Sequence, residues 1–466
     1  MPDVVILGGG PGGYEAALIA ARAGADTVVV EDTGIGGATV LTDVVPSKSL
    51  IAVASTMFAA GDAGSLGVRY DGEAPHPDRI SASLGLVNER IRGLATQQAA
   101  DTEQRLVRTG VTVLRGRGRL TGSDTIAVER TDGGAEELSA GTILVATGAS
   151  PRELPDARPD GRRILTWKQL YDLEELPDHL IVVGSGVTGA EFASGFRGLG
   201  APVTLVSSRD RLLPHEDADA ARVIEDVFGH RGIAVVSRAR ASAATVVGDG
   251  VVVSLADGRE IEGSHCLMAV GSIPNTSDIG LAEAGIRTDE HGFVMVDRVS
   301  RTSARGVYAA GDCTGKLMLA SVAAMQGRVA MWHALGMEVH PLNTTKVASN
   351  VFTDPEIASV GCSQQDVDSG TINAVSISVP LGTNARAKMI GLRHGFVKLF
   401  ARPSTHIVVG GVVVAPHASE LIYPISIAVD QGLSLAQLGQ TFTIYPSLSG
   451  SIAEAALRLE ASDATP

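Results

Sequence analysis

Two glycine turns are the residues in this chain best placed to do chemistry. The first lies in VVILGGGPGG and sets Gly8, Gly10 and Gly13 in the spacing G-x-G-x-x-G. The second lies in LIVVGSGVTG and repeats that spacing with Gly184, Gly186 and Gly189. In such a turn the first glycine allows the tight bend. The second admits a pyrophosphate close to the backbone, and the third lets the following helix lie against the strand. The helix N-terminus then offers unpaired N–H groups and the positive end of its dipole to the phosphates. Glu31 stands 18 residues after Gly13, at the end of the next apolar run. A carboxylate there can accept hydrogen bonds from ribose hydroxyls. The matching place in the second unit holds Ser207, followed by Ser208 and Arg209. An acid would repel a 2′-phosphate, whereas hydroxyls and a guanidinium accommodate it. The second unit is therefore expected to take NADPH, and NADH less well. The competing reading of Ser-Ser-Arg is a solvated turn.

These residues need strands and helices to hold them. Each turn follows an apolar strand, opens a small-residue helix and is followed by a second apolar strand, which makes two βαβ units. They are the only internal repeat. Residues 85–109 read as a long amphipathic helix with Asn88, Glu89, Arg92 and Glu103 on its charged face. TILVATGASPR at 142–152 and GVYAAGDCTG at 306–315 are further strands ending in glycine turns. From about residue 346 the pattern changes. NVFTDPEIASVG, HGFVKLFA and HIVVGGVVVAP read as antiparallel strands, flanked by the helices PHASELIYPISIAVDQG and LSGSIAEAALRL.

Composition sets outer bounds. With 466 residues, of which 44% are hydrophobic, the chain can build several packed domains. A net charge of −14 argues against nucleic acid or an anionic membrane surface as partner. No membrane span and no basic leader are read from the sequence, so a cytoplasmic protein is expected. The three cysteines, Cys266, Cys313 and Cys362, are far apart and form no C-x-x-C pair. Neither a disulfide framework nor a metal site is expected from them.

The two units, ATG at 146–148, GVYAAGD at 306–312, VGSIPN at 270–275, FTDPEIASVG at 352–361 and APHASELI at 415–422 occur together in one order. In this the chain resembles the glutathione reductase and dihydrolipoamide dehydrogenase family of flavoprotein disulfide reductases, over almost its full length. The resemblance implies an α/β protein with two Rossmann-like domains, for FAD and NAD(P), and a C-terminal α+β dimerisation domain. The expected divisions are FAD-binding at 1–150, NAD(P)-binding at 151–280, a second FAD-binding part at 281–345, and a dimerisation domain at 346–466. It implies FAD contacts from Gly8, Gly10, Gly12, Gly13, Glu31, Asp32, Gly37, Thr39, Lys48 and Gly118. Further FAD contacts are expected from Ala146, Thr147, Gly148, Gly271, Gly311, Asp312, Leu319 and Ala320, with Asp312 on the ribityl chain. The nicotinamide nucleotide would meet Gly184, Gly186, Val187, Gly189, Glu191, Ser207, Ser208 and Arg209. Lys48 maps onto the family lysine beside flavin N5, and Glu191 onto that lysine's ion-pair partner. Their charges would favour hydride acceptance.

One segment departs from the family. The family reads G-G-x-C-x-x-x-x-C-x-P-S-K where this chain reads GGATVLTDVVPSK, so Thr39 and Val44 stand at the two cysteine positions. Dithiol chemistry requires a thiolate, which neither can supply. The family's C-terminal H-x-H-P-T-L-S-E is also replaced, by TIYPSLSG at 443–450, with Tyr445 at the catalytic histidine position and Gly450 at the glutamate position. Tyr445 either faces a quinone across a dimer interface or only fills the vacated space. Loss of thiols and proton carrier together implies an FAD-dependent NAD(P)H:quinone oxidoreductase rather than a lipoamide or glutathione reductase. The alternatives are a transhydrogenase-like activity and a redox-sensing flavoprotein without turnover. A homodimer, or a tetramer built on it, is expected.

Overall fold

The computed structural model describes residues 1–75 and 80–463. The chain forms two compact units. One gathers Met1–Ser49, Asn88–Arg152 and Val270–Thr344; the other gathers Leu50–Val87, Glu153–Ala269 and Thr345–Pro466.

The first unit is built on a seven-stranded sheet. Its order is Val307–Ala309, Thr142–Val145, Val4–Leu7, Thr27–Glu31, Thr112–Leu120, Thr125–Arg130 and Ala135–Ser139. The first five strands run parallel and the last two antiparallel. Val4, Val5 and Ile6 are fully buried, as a parallel strand covered on both faces requires. Helices Pro11–Arg22 and Ala320–Ala334 pack so closely that a Cβ on Gly327 would collide with Gly12 O. The long helix spans Leu84–Arg108. Its charged face is narrower than the sequence suggests, because Asn88 is fully buried.

The second unit holds a parallel sheet in the order Ala234–Val236, Val203–Val206, Leu180–Val183, His265–Met268 and Ile164–Leu165. A three-stranded antiparallel sheet, Ala241–Val247 to Glu260–Gly263, accompanies it. After Thr345 comes an antiparallel sheet ordered Ala348–Val351, Glu356–Gly361, Val408–Ala415, Phe396–Ala401 and Val375–Pro380. Helices Ala418–Gln431 and Gly450–Asp463 share its core, where Leu399, Val413, Ile425 and Ala455 are fully buried.

One helical stretch, Gly37–Leu66, meets the length and apolarity needed to cross a bilayer, a test that core helices also pass. Its continuity is broken at Thr42 and Asp43. Within the second unit, Gly195 and Gly198 of helix Val187–Leu199 leave room for the Leu50, Ala54 and Phe58 side chains of this stretch. That face of the stretch packs against helix Val187–Leu199.

Candidate active site

In the first unit three loops leave the same edge of the sheet, because the strands before them are parallel neighbours. They are Gly8–Gly13, Ala146–Gly148 and Gly311–Asp312. Gly8 has φ +105°, and a Cβ on it would collide with Ala146 O. Gly13 approaches Gly8 O as closely. Gly10 is different, with nothing within 4 Å of a Cβ position. It is the N-cap of helix Pro11–Arg22, with no side-chain cap and no acid in the first turn. The N–H groups at this helix start are thus left for an anion. Gly12 packs near Ala310 Cβ, and Gly37 lies near Gly10 Cα.

Glu31 is buried, at 6% exposure. Its Oε2 accepts from Gly9 N–H (2.6 Å), and its Oε1 from Thr33 N–H and Oγ1 (both 2.7 Å) and Gly34 N–H (3.1 Å). The carboxylate therefore ties the glycine turn to the end of its own strand, and Oε2 keeps acceptor capacity for a ribose hydroxyl. Asp32 is exposed, its carboxyl raised by desolvation and by Glu31.

Asp312 is half-buried, and desolvation followed by Asp43 pushes its carboxyl up to about 6. Gln326, at 1% exposure, holds this turn by accepting from Gly311 N–H at 2.8 Å. Asn275 fixes the neighbouring loop. Its Nδ2 donates to Thr147 O (2.9 Å), its N–H to Gly148 O (3.0 Å), and its Oδ1 accepts from Ser150 (2.8 Å). Asn275 ends the VGSIPN segment, and nothing in its neighbours marks this role. Gln326 has no signal in the sequence. Leu319 is the uncapped N-cap of the helix that starts at Ala320. Gly271 has φ +98° with open space beside it. Gly118 lies within its strand, where a Cβ would meet Leu7 Cδ2, so packing alone accounts for that glycine.

These residues fit a flavin dinucleotide. Thr147 Oγ1 is buried without a hydrogen-bond partner among the described residues. Gly148 has φ +70° and open space beside it. Together with the uncapped helix at Gly10, they are polar groups and room that a bound cofactor would use.

The second unit repeats the device. Gly184 and Gly189 pack as Gly8 and Gly13 do, and Gly186 is the open, uncapped N-cap of helix Val187–Leu199. Val187 is 41% exposed at that helix start. The Ser207 hydroxyl, expected at the nucleotide, has partners within the protein. Ser207 is fully buried. Its Oγ meets Ser185 Oγ at 2.7 Å and accepts from Arg209 N–H at 3.1 Å. A short hydroxyl readily bonds its own backbone two residues on, and the turn takes Ser207 inward. Ser208 and Arg209 remain exposed.

Glu191, at 3% exposure, accepts from Phe352 N–H at 2.8 Å. Lys48 is half-buried on helix Val44–Asp62, and Thr39 lies on helix Gly37–Leu41. Tyr445 is 86% exposed, beside Phe442 and Ile444, which are also exposed. All three thiols are buried and free. Desolvation pushes Cys266 up to about 12 and Cys313 and Cys362 up to about 11. None is a thiolate at neutral pH.

Residues 2–327 match the pyridine nucleotide-disulphide oxidoreductase family, and residues 347–456 match its dimerisation domain. The chain belongs to this family. Its members are FAD-dependent oxidoreductases that use NAD(P)H, and the dimerisation domain supports a homodimer. The oxidoreductase is 54% identical to an NAD(P)H dehydrogenase (quinone) of Mycobacterium tuberculosis, over 99% of this chain and 94% of that protein. It is 34% identical to a dihydrolipoyl dehydrogenase of Chlorobaculum parvum, over 97% and 96%. The crystal structure of LpdA from Mycobacterium tuberculosis superposes with a TM-score of 0.93 at 53% identity, covering 98% of this oxidoreductase and all of that chain.

Proposed function

We propose that the protein is an FAD-dependent NAD(P)H:quinone oxidoreductase that works without a dithiol relay. The observation that carries this is the state of the sulfur. Thr39 and Val44 replace the family's cysteines, and the three thiols present are buried and far from ionising. The name of the Mycobacterium tuberculosis relative agrees with it.

FAD, when bound, supplies a group that can take hydride from NAD(P)H and pass electrons to a quinone without a protein nucleophile. The chain's own residues do the rest. The helix starts at Gly10 and Gly186 receive pyrophosphates, and Glu31 orients a ribose. Lys48 places a positive charge where negative charge develops, which lowers the barrier electrostatically. Glu191 is held by the Phe352 N–H as a fixed acceptor. Arg209, with Ser208, grips the 2′-phosphate of NADPH in place of Ser207. Tyr445 supplies a phenol that can hydrogen-bond a quinone oxygen. Cytoplasmic, homodimeric operation belongs to the same reading.

The test is an acceptor panel. The purified holoprotein is reduced anaerobically with one equivalent of NADPH, then mixed with menadione or with NAD⁺. Fast recovery of the oxidised spectrum with menadione and slow recovery with NAD⁺ is the expected result. Fast recovery with NAD⁺ alone would replace this reading with transhydrogenase activity. Slow recovery with both would leave a redox-sensing flavoprotein.

A further inference from the structure

We propose a second ligand site in the first unit, a cavity that binds a small polyanion through Arg287 and Arg305. It lies at Gly141–Thr142 and Gly306–Val307, where two parallel strands enter the seven-stranded sheet. The loops that would hold FAD leave the opposite ends of those same strands. The cavity is therefore separate from the dinucleotide site, and its proposal goes beyond the quinone reductase reading without resting on it. Its volume is about 920 Å³, in the range of small-molecule sites.

Charge identifies the ligand class. Three arginines, Arg287, Arg301 and Arg305, line the cavity against one carboxylate, Asp297. This is a positive pocket in a chain whose net charge is −14. Asp297 is already engaged. Its Oδ1 accepts from Val299 N–H and Arg301 N–H (both 3.0 Å), and its Oδ2 accepts from Arg301 Nε (2.7 Å). Arg287 and Arg305 differ from Arg301, since among the described residues neither guanidinium has a hydrogen bond or an ion pair. Two free guanidinium groups in one cavity suit a ligand with two or more anionic groups, each gripped by a planar fork.

The wall adds a directional donor. Tyr308, at 6% exposure, places its hydroxyl 2.8 Å from His333 Nδ1, and both residues line the cavity. With His333 neutral, either the tyrosine or the imidazole donates in that bond. In both cases the pair keeps one more O–H or N–H to offer an anionic oxygen.

Calorimetric titration of the FAD-loaded protein saturated with NADP⁺ tests this, with inorganic pyrophosphate in one arm and citrate in the other. NADP⁺ keeps pyrophosphate off the glycine turn at Gly184. Saturable binding is expected in at least one arm, weakened at least tenfold by the double substitution Arg287→Gln/Arg305→Gln. Both side chains are exposed, so the variant should keep its thermal midpoint and its rate of reduction by NADPH. The arm that binds assigns the site to phosphates or to carboxylates. Absence of saturable heat in both arms, or binding that the double variant retains, overturns the proposal. Neither outcome reads quinone turnover, so the two proposals fail independently.

Discussion

The backbone N–H of Phe352 donates to Glu191 Oε1 at 2.8 Å, inside the second unit. A carboxylate at 3% exposure is thus anchored by a main-chain donor that no substitution at position 352 short of proline removes. The bond separates two roles for Glu191. Glu191→Gln keeps an acceptor oxygen and loses the charge, while Glu191→Ala loses both. In the proposed function the charge supports hydride transfer, so Glu191→Gln is expected to slow anaerobic reduction by NADPH at least tenfold with its melting midpoint nearly unchanged. Glu191→Ala adds a stability loss of about 1–3 kcal/mol for the orphaned N–H. Stopped-flow reduction and thermal melts read the two effects separately.

Nucleotide choice should follow Arg209 and not Ser207. Ser207 is spent on Ser185 and on its own turn, while Arg209 is exposed. Arg209→Ala is expected to raise the KM for NADPH about tenfold or more, the loss of a charge-assisted hydrogen bond of about 1.5–3 kcal/mol, and to leave NADH nearly untouched. Ser207→Ala should lower the melting midpoint without changing the NADPH to NADH ratio. Steady-state kinetics with both nucleotides decide it.

A buried ion cluster makes a stability prediction. Lys398 Nζ lies 2.8 Å from Asp217 Oδ2 and 2.7 Å from Asp219 Oδ2, and the Lys398 and Asp217 side chains are each 4% exposed. Asp217 also caps helix Ala218–His230 by accepting from Asp219 and Ala220 N–H. Lys398→Met would leave a buried carboxylate uncompensated and should cost about 3–5 kcal/mol. Lys398→Met combined with Asp217→Asn should recover part of that loss. Urea melts of the wild-type protein, of each single variant and of the double variant provide the double-mutant cycle.

Asp312 gives the apoprotein a pH signature. Its carboxyl titrates at about 6 in the fold against 3.8 in the unfolded chain. A raised acid binds its proton more tightly when folded, so its contribution is complete below about pH 4. That contribution falls as pH rises through about 6. The span of about two units corresponds to about 3 kcal/mol. Asp312→Asn should flatten this part of the profile. Urea midpoints of the FAD-free protein from pH 4 to 7 measure it.

Much of this architecture is legible in the sequence, because glycine spacing and apolar runs are local signals. Gly8–Gly13 and Gly184–Gly189 fold as their spacing implies, and the change of pattern near residue 346 becomes the antiparallel sheet. What the sequence hides is non-local or depends on side-chain direction. Gln326 reaches the Gly311 turn from a helix that begins eight residues after Asp312, and nothing in its neighbours marks it. Ser207 occupies the position expected for ribose recognition, yet a backbone bond two residues away turns it inward. Asn88 looks like part of a charged helix face and is fully buried. The Gly37–Leu66 stretch shows the reverse difficulty, since its apolar composition alone does not reveal that Leu50, Ala54 and Phe58 fit against the glycines of a neighbouring helix.

In the proposed function electrons leave this protein without passing through sulfur. The most direct measurement compares benzoquinone and lipoamide as acceptors for NADPH with the same holoprotein, with and without arsenite. Brisk quinone reduction that arsenite leaves unchanged, and no lipoamide reduction above background, is the expected result. Lipoamide turnover at a comparable rate, abolished by arsenite, would contradict it.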